Sequence, residues 1–354
     1  MRVLVAMSGG VDSSVAAARL VAGGHEVVGA TLKLWGGASD SGCCSVADVD
    51  DARRVAQQLG IAHHVFNLAE EFEASVVAPY VADHVAGRTP NPSIECNRHI
   101  KFDRLLERSG RLGFDALATG HHARVAPGPA GEGHRLRRGA DAAKDQSYVL
   151  SMLGQSQLAR LVLPVGAMTK AEVRAEAAAL GLRTAAKPDS QDVCFIHSAT
   201  GRAGFLAGRL ALHPATVVDR RSGEAVGTVE GIELVTVGQR RGMGQAPDGS
   251  RRYVVAVDVS TRRVTVGGAA EALTREVALV PSSLTWVGAP LAEGTAAVAQ
   301  VSAHGRPAPC VLGSGPSGPV VRFAEAQRPV APGQTVALYD AGDPDDVVGA
   351  GIAA

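Results

Sequence analysis

Apolar positions in the first part of the chain switch between two periods. The run "RVLVAM", opening at Arg2, is short and apolar throughout, as a strand covered on both faces should be. Val11, Val15 and Ala18 then follow at helical spacing, ending at Gly23 and Gly24, where a left-handed cap costs little. "EVVGATL" predicts the next strand, and Ser45 is placed to cap a helix whose apolar face is Val49, Ala52, Ala56 and Leu59, stopped by Gly60. "IAHHVFNL" and "DALATG" predict further strands, and Thr169 to Glu172 form a capping box opening a helix that stops at Gly181. Strand and helix in alternation predict an α/β fold, a doubly wound parallel sheet with helices on both faces.

After about Thr200 the rhythm changes. "ATVVDRRSGEAVGTV" and "RRYVVAVDVSTRRVTVGG" read as short strands around polar turns, and "LTWVG", "AAVAQVSA", "PVVRFA" and "TVALYD" follow between Gly, Pro and Ser. The expected layout is an α/β domain over 1–200, a small β-rich domain over 201–272 and a C-terminal β-barrel over 273–354. No internal repeat is present, and "APGPAGEGH" is the stretch expected to be flexible.

A chain of 354 residues, 46% apolar, suits two or three domains with real cores. The formal net charge is zero, so any nucleic-acid binding has to come from local patches. Three windows qualify: Arg98 to Arg111, Arg135 to Lys144 and Arg240 to Arg252, each of which reads equally well as a solvated face. No run of eighteen apolar residues predicts a membrane span, and the first apolar stretch is too short for a signal peptide; a cytosolic protein is expected. Five cysteines, an odd number, do not make a disulfide framework and are instead buried, metal-binding or reactive.

The chemistry begins at "MSGGVDSS", residues 7–14, directly after the first predicted strand. Glycines there let the backbone approach a ligand, while serine hydroxyls and amide N–H groups at a helix start suit an anion such as phosphate. The usual P-loop is excluded, because no lysine occurs before Lys33, and G-x-G-x-x-G is absent from this loop. Cys96 follows Pro92 and Ser93, which read as a helix start with Ser93 as its cap and Cys96 in the first turn. There the helix dipole and Arg98 favour a thiolate, although a small residue filling a helix terminus reads the same way. Cys194 lies in "KPDSQDVCFI", a polar stretch without helical period, expected to be able to swing. Two such cysteines suit a sulfur relay; a zinc site is the competitor, with Cys43 and Cys44 as extra ligands, but no C-x-x-C spacing supports it.

"SGGVDSS" resembles the signature of the PP-loop ATP pyrophosphatases. In addition "TPNPSIECNRHIKF", "ATGHHAR", "KDQSYVL", "KPDSQDVCFI", "VGQRRG" and "PGQTVALYD" occur in the order seen in the tRNA-specific 2-thiouridylases, over nearly the whole chain. That resemblance implies ATP-dependent exchange of oxygen for sulfur at C2 of the wobble uridine of the glutamate, glutamine and lysine tRNAs. It implies ATP contacts at Ala6, Met7, Ser8, Gly9, Gly10, Val11, Asp12 and Ser13, with Leu32 and Gly120 on the adenosine side and Mg²⁺ on the phosphates. Asp12, Cys96 as nucleophile and Cys194 as persulfide carrier are the implied catalytic residues, and His121, Lys144, Asp145, Gln146 and Gln334 the implied tRNA contacts. A persulfide donor protein is the implied partner, and no resident metal is implied. Many members carry aspartate where this chain has Ser93, which cannot act as acid or base near neutral pH. Cys310, Cys43 and Cys44 read as structural. A different PP-loop enzyme, a tRNA ligase or an amidotransferase type, would keep the ATP chemistry but leave Cys194 idle; a rival of a different class is a non-catalytic nucleotide-binding sensor fused to a β module.

Overall fold

The computed structural model describes residues 1–35, 45–128, 131, 133–189, 193–196 and 199–354. Cys43 and Cys44 lie outside them, as does part of "APGPAGEGH".

Five parallel strands form the first sheet in the order β3-β2-β1-β4-β7: β1 (Arg2–Ala6), β2 (Glu26–Lys33), β3 (Ala62–Asn67), β4 (Ala116–Thr119) and β7 (Leu161–Val162). Side chains on β1 alternate between the two faces. Val3 and Val5 join a core with Val11, Val15 and Ala56, while Leu4 joins one with Phe72, Ile100 and Phe102 on the other side. Both faces are therefore covered, which is why the run reads as unbroken apolar sequence.

The helix boundaries follow their caps. Helix Val11–Ala22 ends at Gly23, and the next residue, Gly24, takes the left-handed conformation at φ +74°. Helix Val46–Gln58 opens with a capping box between Ser45 and Asp48, and helix Lys170–Ala179 with one between Thr169 and Glu172. The helix bearing Cys96 starts differently from the sequence expectation. Its cap is Asn91, whose Oδ1 accepts from Ser93 N at 3.2 Å and Ile94 N at 3.4 Å. Ser93 is the second helical residue, displaced from the cap by Pro92, whose fixed φ suits the first helical position. Cys96 follows the Pro92–Glu95 turn and begins a π-helical stretch, Cys96–Leu105, of the kind that recurs at functional sites.

The second sheet is four-stranded, in the order β10-β11-β8-β9: β8 (Ala215–Asp219), β9 (Ala225–Val229), β10 (Tyr253–Asp258) and β11 (Arg263–Gly267). The third contains β12 (Thr274–Ala278), β13 (Thr285–Trp286), β14 (Ala296–Gln300), β15 (Ala308–Gly315), β16 (Gly318–Gln327), β17 (Thr335–Asp340) and β18 (Asp346–Ile352). A hairpin from the first part of the chain, β5 (Ala123–Pro127) and β6 (His134–Arg138), extends this sheet by pairing Leu136 with Val347. Its arginines face the acidic turn before β18: Arg137 reaches Asp343 at 2.9 Å, Arg124 reaches Asp345 at 2.9 Å, and Arg135 pairs with Asp346. The arginines of the basic window from Arg135 to Lys144 are thus largely engaged in internal ion pairs.

Candidate active site

In an open parallel sheet, ligands bind beyond the carboxyl ends of the strands where the strand order reverses. Here that point lies between β1 and β4, whose ends deliver Ala6-Met7-Ser8-Gly9-Gly10 and Gly120-His121-His122 side by side. Gly9 sits at φ +72°, and a Cβ on it would come within 2.3 Å of the Asp48 carbonyl oxygen. A Cβ on Gly120 would lie 2.5 Å from the Ser13 backbone nitrogen. Only glycine fits either place, so the loop, the helix start and the β4 end can meet. Ser13 Oγ accepts from Ser8 N at 3.2 Å, and Ser14 Oγ donates to the Gly10 carbonyl at 2.8 Å, which holds the turn. Met7 and Val11 are buried on the core side, and Leu32 is buried at the end of β2.

Asp12, in the first turn after this loop, is met by two groups from elsewhere. Lys170 Nζ donates to both of its oxygens, at 2.8 Å and 2.7 Å, and His122 Nε2 lies 3.0 Å from Oδ1. Burial alone would raise the Asp12 pKa, but hydrogen bonds from His122 and Lys170 outweigh it and hold the carboxyl below its usual range. Lys187 Nζ donates to the Gly9 carbonyl at 2.9 Å and pairs with Asp48 at 2.6 Å and Asp51 at 2.7 Å. Two lysines from distant segments thus reach the glycine loop, which has no lysine of its own. Lys170, Lys187 and His122 were not singled out in the sequence, because nothing in their local spacing marks them.

Gln146 organises this side of the site. Its Oε1 accepts from His122 N at 2.9 Å, and its own N–H donates back to the His122 carbonyl at 2.9 Å, fixing the residue that holds Asp12. Lys144 Nζ pairs with Asp189 at 2.9 Å. Asp145 points inward: its oxygens accept from Arg138 Nη1 at 2.7 Å, Gly139 N at 2.9 Å and both donors of Ser147. A carboxylate so occupied ties the end of the hairpin strand β6 to the helix start at Ser147. His121 is buried against Phe102, with Nδ1 2.6 Å from Thr119 Oγ1. Burial, then the nearby Lys101 and His122, push its pKa well below the ordinary value, so it is neutral. Gln334 Nε2 donates to the Thr89 carbonyl and so joins the barrel to the segment leading into the Cys96 helix.

Cys96 belongs to the apolar cluster on one face of the parallel sheet, and Cys194 packs against the same cluster. The residue after Cys194 is an anchor. Phe195 sits among Phe205 at 5.0 Å, Tyr80 at 5.4 Å, Phe72 at 5.7 Å and Trp35 at 6.1 Å between ring centroids. The stretch expected to swing is thus pinned beside its cysteine. Cys310 is buried in the barrel core, and burial pushes its thiol up to about 11, as suits a structural residue.

Residues 1–198 match the family described as tRNA methyl transferase HUP domain, 203–268 its PRC-barrel domain and 277–353 an aminomethyltransferase beta-barrel domain. Whole-length relatives are closer in kind. A tRNA-specific 2-thiouridylase from Beutenbergia cavernae is 47% identical over 354 residues, covering 96% of this chain and 92% of the relative. The enzyme of that name from Acidothermus cellulolyticus is 47% identical over 348 residues, covering 96% and 94%. The chain belongs to the tRNA-specific 2-thiouridylase family. Its fold is accordingly the family's HUP domain followed by a PRC-barrel domain and a β-barrel, and it is an enzyme of the sulfurtransferase class.

Proposed function

We propose that this protein replaces the C2 oxygen of the wobble uridine of the glutamate, glutamine and lysine tRNAs by sulfur, cleaving ATP to AMP and pyrophosphate. The observation that carries the reading is the glycine-built loop at the sheet's switch point, closed by Lys170 and Lys187. In this reading the backbone of Ser8 to Ser13 holds the phosphates, Mg²⁺ accompanies them, and Leu32 and Gly120 border the adenosine. Bound ATP supplies an adenylyl group, which passes to the uracil C2 oxygen and makes it a leaving group, with pyrophosphate departing. Cys194, loaded as a persulfide by a donor protein, delivers its outer sulfur to C2, and AMP departs. Cys96 either attacks that persulfide to release sulfide or resolves the mixed disulfide. Both routes leave a Cys96–Cys194 bond for a thiol reductant to open.

His121, being neutral, serves as a hydrogen-bonding surface for the flipped base rather than as a cation. Lys144 is charged and half-exposed, and fits a phosphate once released from Asp189. Asp145 and Gln146 act by positioning, and Gln334 by setting the barrel against the Cys96 segment. Of the three basic windows, Arg240, Arg241 and Arg251 are exposed and make no ion pair among the described residues, which favours them for the tRNA backbone. The setting is the cytosol, where tRNA, ATP and reduced thiols coexist; no described helix is long and apolar enough to cross a membrane.

The cysteine roles are tested by persulfide mapping. Cys194→Ser should lose all sulfur transfer, whereas Cys96→Ser should still load persulfide on Cys194 and still form AMP but fail to turn over. Persulfide on Cys96 in an active Cys194→Ser protein would reverse the assignment.

A further inference from the structure

Thr89 stands two residues before Asn91, the cap of the turn that leads into Cys96, and each of its polar groups is bonded to another domain. Its N–H donates to the Pro332 carbonyl at 2.7 Å, and its carbonyl accepts from Gln334 Nε2, both in the C-terminal barrel. Its hydroxyl donates to Thr236 Oγ1 of the middle domain at 3.2 Å, where Arg202 Nη1 also donates at 3.3 Å. The cap has a further tie to the barrel. Tyr148, which the Asn91 side chain meets, donates its hydroxyl to the Thr335 carbonyl at 2.9 Å. The entry to the Cys96 turn is thus fastened from outside its own domain.

Glycines mark the same junction. Gly87, two residues before Thr89, lies at φ +73°, and a Cβ on it would stand 2.7 Å from Val259 Cγ2 of the middle domain. Gly238 of the middle domain, at φ +86°, would bring a Cβ within 3.1 Å of Pro329 Cγ in the barrel. Gly333 of the barrel, at φ +89°, would bring one within 3.2 Å of Arg88 Cβ and of the Thr89 backbone nitrogen and carbonyl carbon. At each seam between two of the three domains, one glycine in the left-handed region permits a close approach, and two of these approaches fall on residues 87–89. Packing that tight passes a displacement on to its neighbours.

We propose that Thr89 is a positioning residue through which the middle domain and the barrel set Cys96 for its step in sulfur transfer. The inference rests on the roles given above to Cys96 and Cys194, and adds a dependence of that one step on how the three domains are seated together. In the step Cys96 Sγ attacks Cys194 Sγ; the bond from Cys194 Sγ to its outer sulfur breaks, and the outer sulfur leaves with the electron pair, as sulfide or bound to the base. The resulting Cys96–Cys194 disulfide is opened by the thiol reductant. Such an attack is sensitive to placement, since a shift of about 1 Å can lower a rate by about 100-fold. Among the described residues Thr89 bonds none of the glycine loop, so nucleotide cleavage does not depend on it.

The test uses the full chain with ATP, tRNA and a persulfide donor, in a single turnover without reductant, with rates taken per folded molecule. AMP is followed by chromatography, and the Cys96–Cys194 disulfide by peptide mass spectrometry under non-reducing conditions. Thr89→Val removes only the bond to Thr236 and should slow disulfide formation by about fivefold, the contribution of one neutral hydrogen bond, with AMP formation unchanged. Thr89→Ser should restore the parent rate. Gly87→Ala, Gly238→Ala and Gly333→Ala, which press the seams apart, should slow disulfide formation by about tenfold or more, again without slowing AMP. Gly223→Ala is the control, because its φ of +71° strains an added side chain in the same way while its Cβ meets nothing within 4 Å; it should slow neither step. Disulfide formation at the parent rate in Thr89→Val, slowed only in proportion to AMP, or slowed as much in Gly223→Ala, overturns the proposal and leaves the sulfur-transfer reading intact. A parent that forms no AMP, or forms AMP without the disulfide, overturns that reading and this proposal with it.

Discussion

Lys170 Nζ lies 2.8 Å and 2.7 Å from the two oxygens of Asp12, joining the first turns of two helices 158 residues apart. The pair closes the end of the parallel sheet where the glycine loop turns. Lys170→Met should leave the fold intact, because the lysine is at a helix start capped independently by Thr169. Loss of a preorganised cation at developing phosphate charge should lower the rate of pyrophosphate release by about 100-fold or more. A pyrophosphate assay on the purified variant checks this.

Asp189 makes a prediction about stability and pH. Burial would raise its pKa, but hydrogen bonds and charge from Lys170 and Lys144 lower it to about 2, from an unperturbed 3.8. The folded-state value is the depressed one, so its stabilising contribution is complete above pH 3.8 and disappears as pH falls toward 2. The melting temperatures of the parent and Asp189→Asn should therefore differ at neutral pH and converge across that window.

The Cys96 helix should depend on Asn91 rather than on Ser93. Asn91→Ala removes both bonds to the orphan N–H groups and should cost about 1 kcal/mol in denaturant unfolding. Ser93→Ala, at an exposed position without a capping bond, should change stability by much less. Comparison of the two unfolding midpoints checks the correction directly.

Much of the fold is legible in local sequence, for physical reasons. β1 reads as a strand because both its faces are buried, and the caps at Ser45 and Thr169 read correctly because a capping box is a contact across three residues. The glycine loop is equally local. What sequence alone did not mark is long-range charge. Lys170, Lys187 and His122 reach the loop from more than 100 positions away, and Arg135 and Arg137 looked like a basic patch until the acidic turn at 343–346 was folded onto them. The misplaced cap has a local cause. Asn, Pro and Ser stand together, and Pro at the first helical position puts the cap two residues upstream of Ser93, on Asn91.

Gly120 tests the geometry of the switch point. A methyl group there would stand 2.5 Å from Ser13 N and 2.6 Å from the Asp12 carbonyl carbon, both backbone atoms that cannot give way cheaply. Gly120→Ala should push the loop helix off β4 and lose activity together with some thermal stability. By contrast Gly223→Ala, whose Cβ meets nothing within 4 Å but whose φ is +71°, should lose stability without losing activity per folded molecule.

The central claim is that the glycine loop feeds ATP to a sulfur transfer onto tRNA. It is tested most directly by incubating the protein with ATP, tRNA and a persulfide donor, then analysing the nucleotides released and the digested tRNA by mass spectrometry. The account predicts AMP and pyrophosphate in the same yield as a uridine at the wobble position carrying sulfur in place of its C2 oxygen. ADP and phosphate, or AMP released with the wobble uridine unchanged, would contradict it.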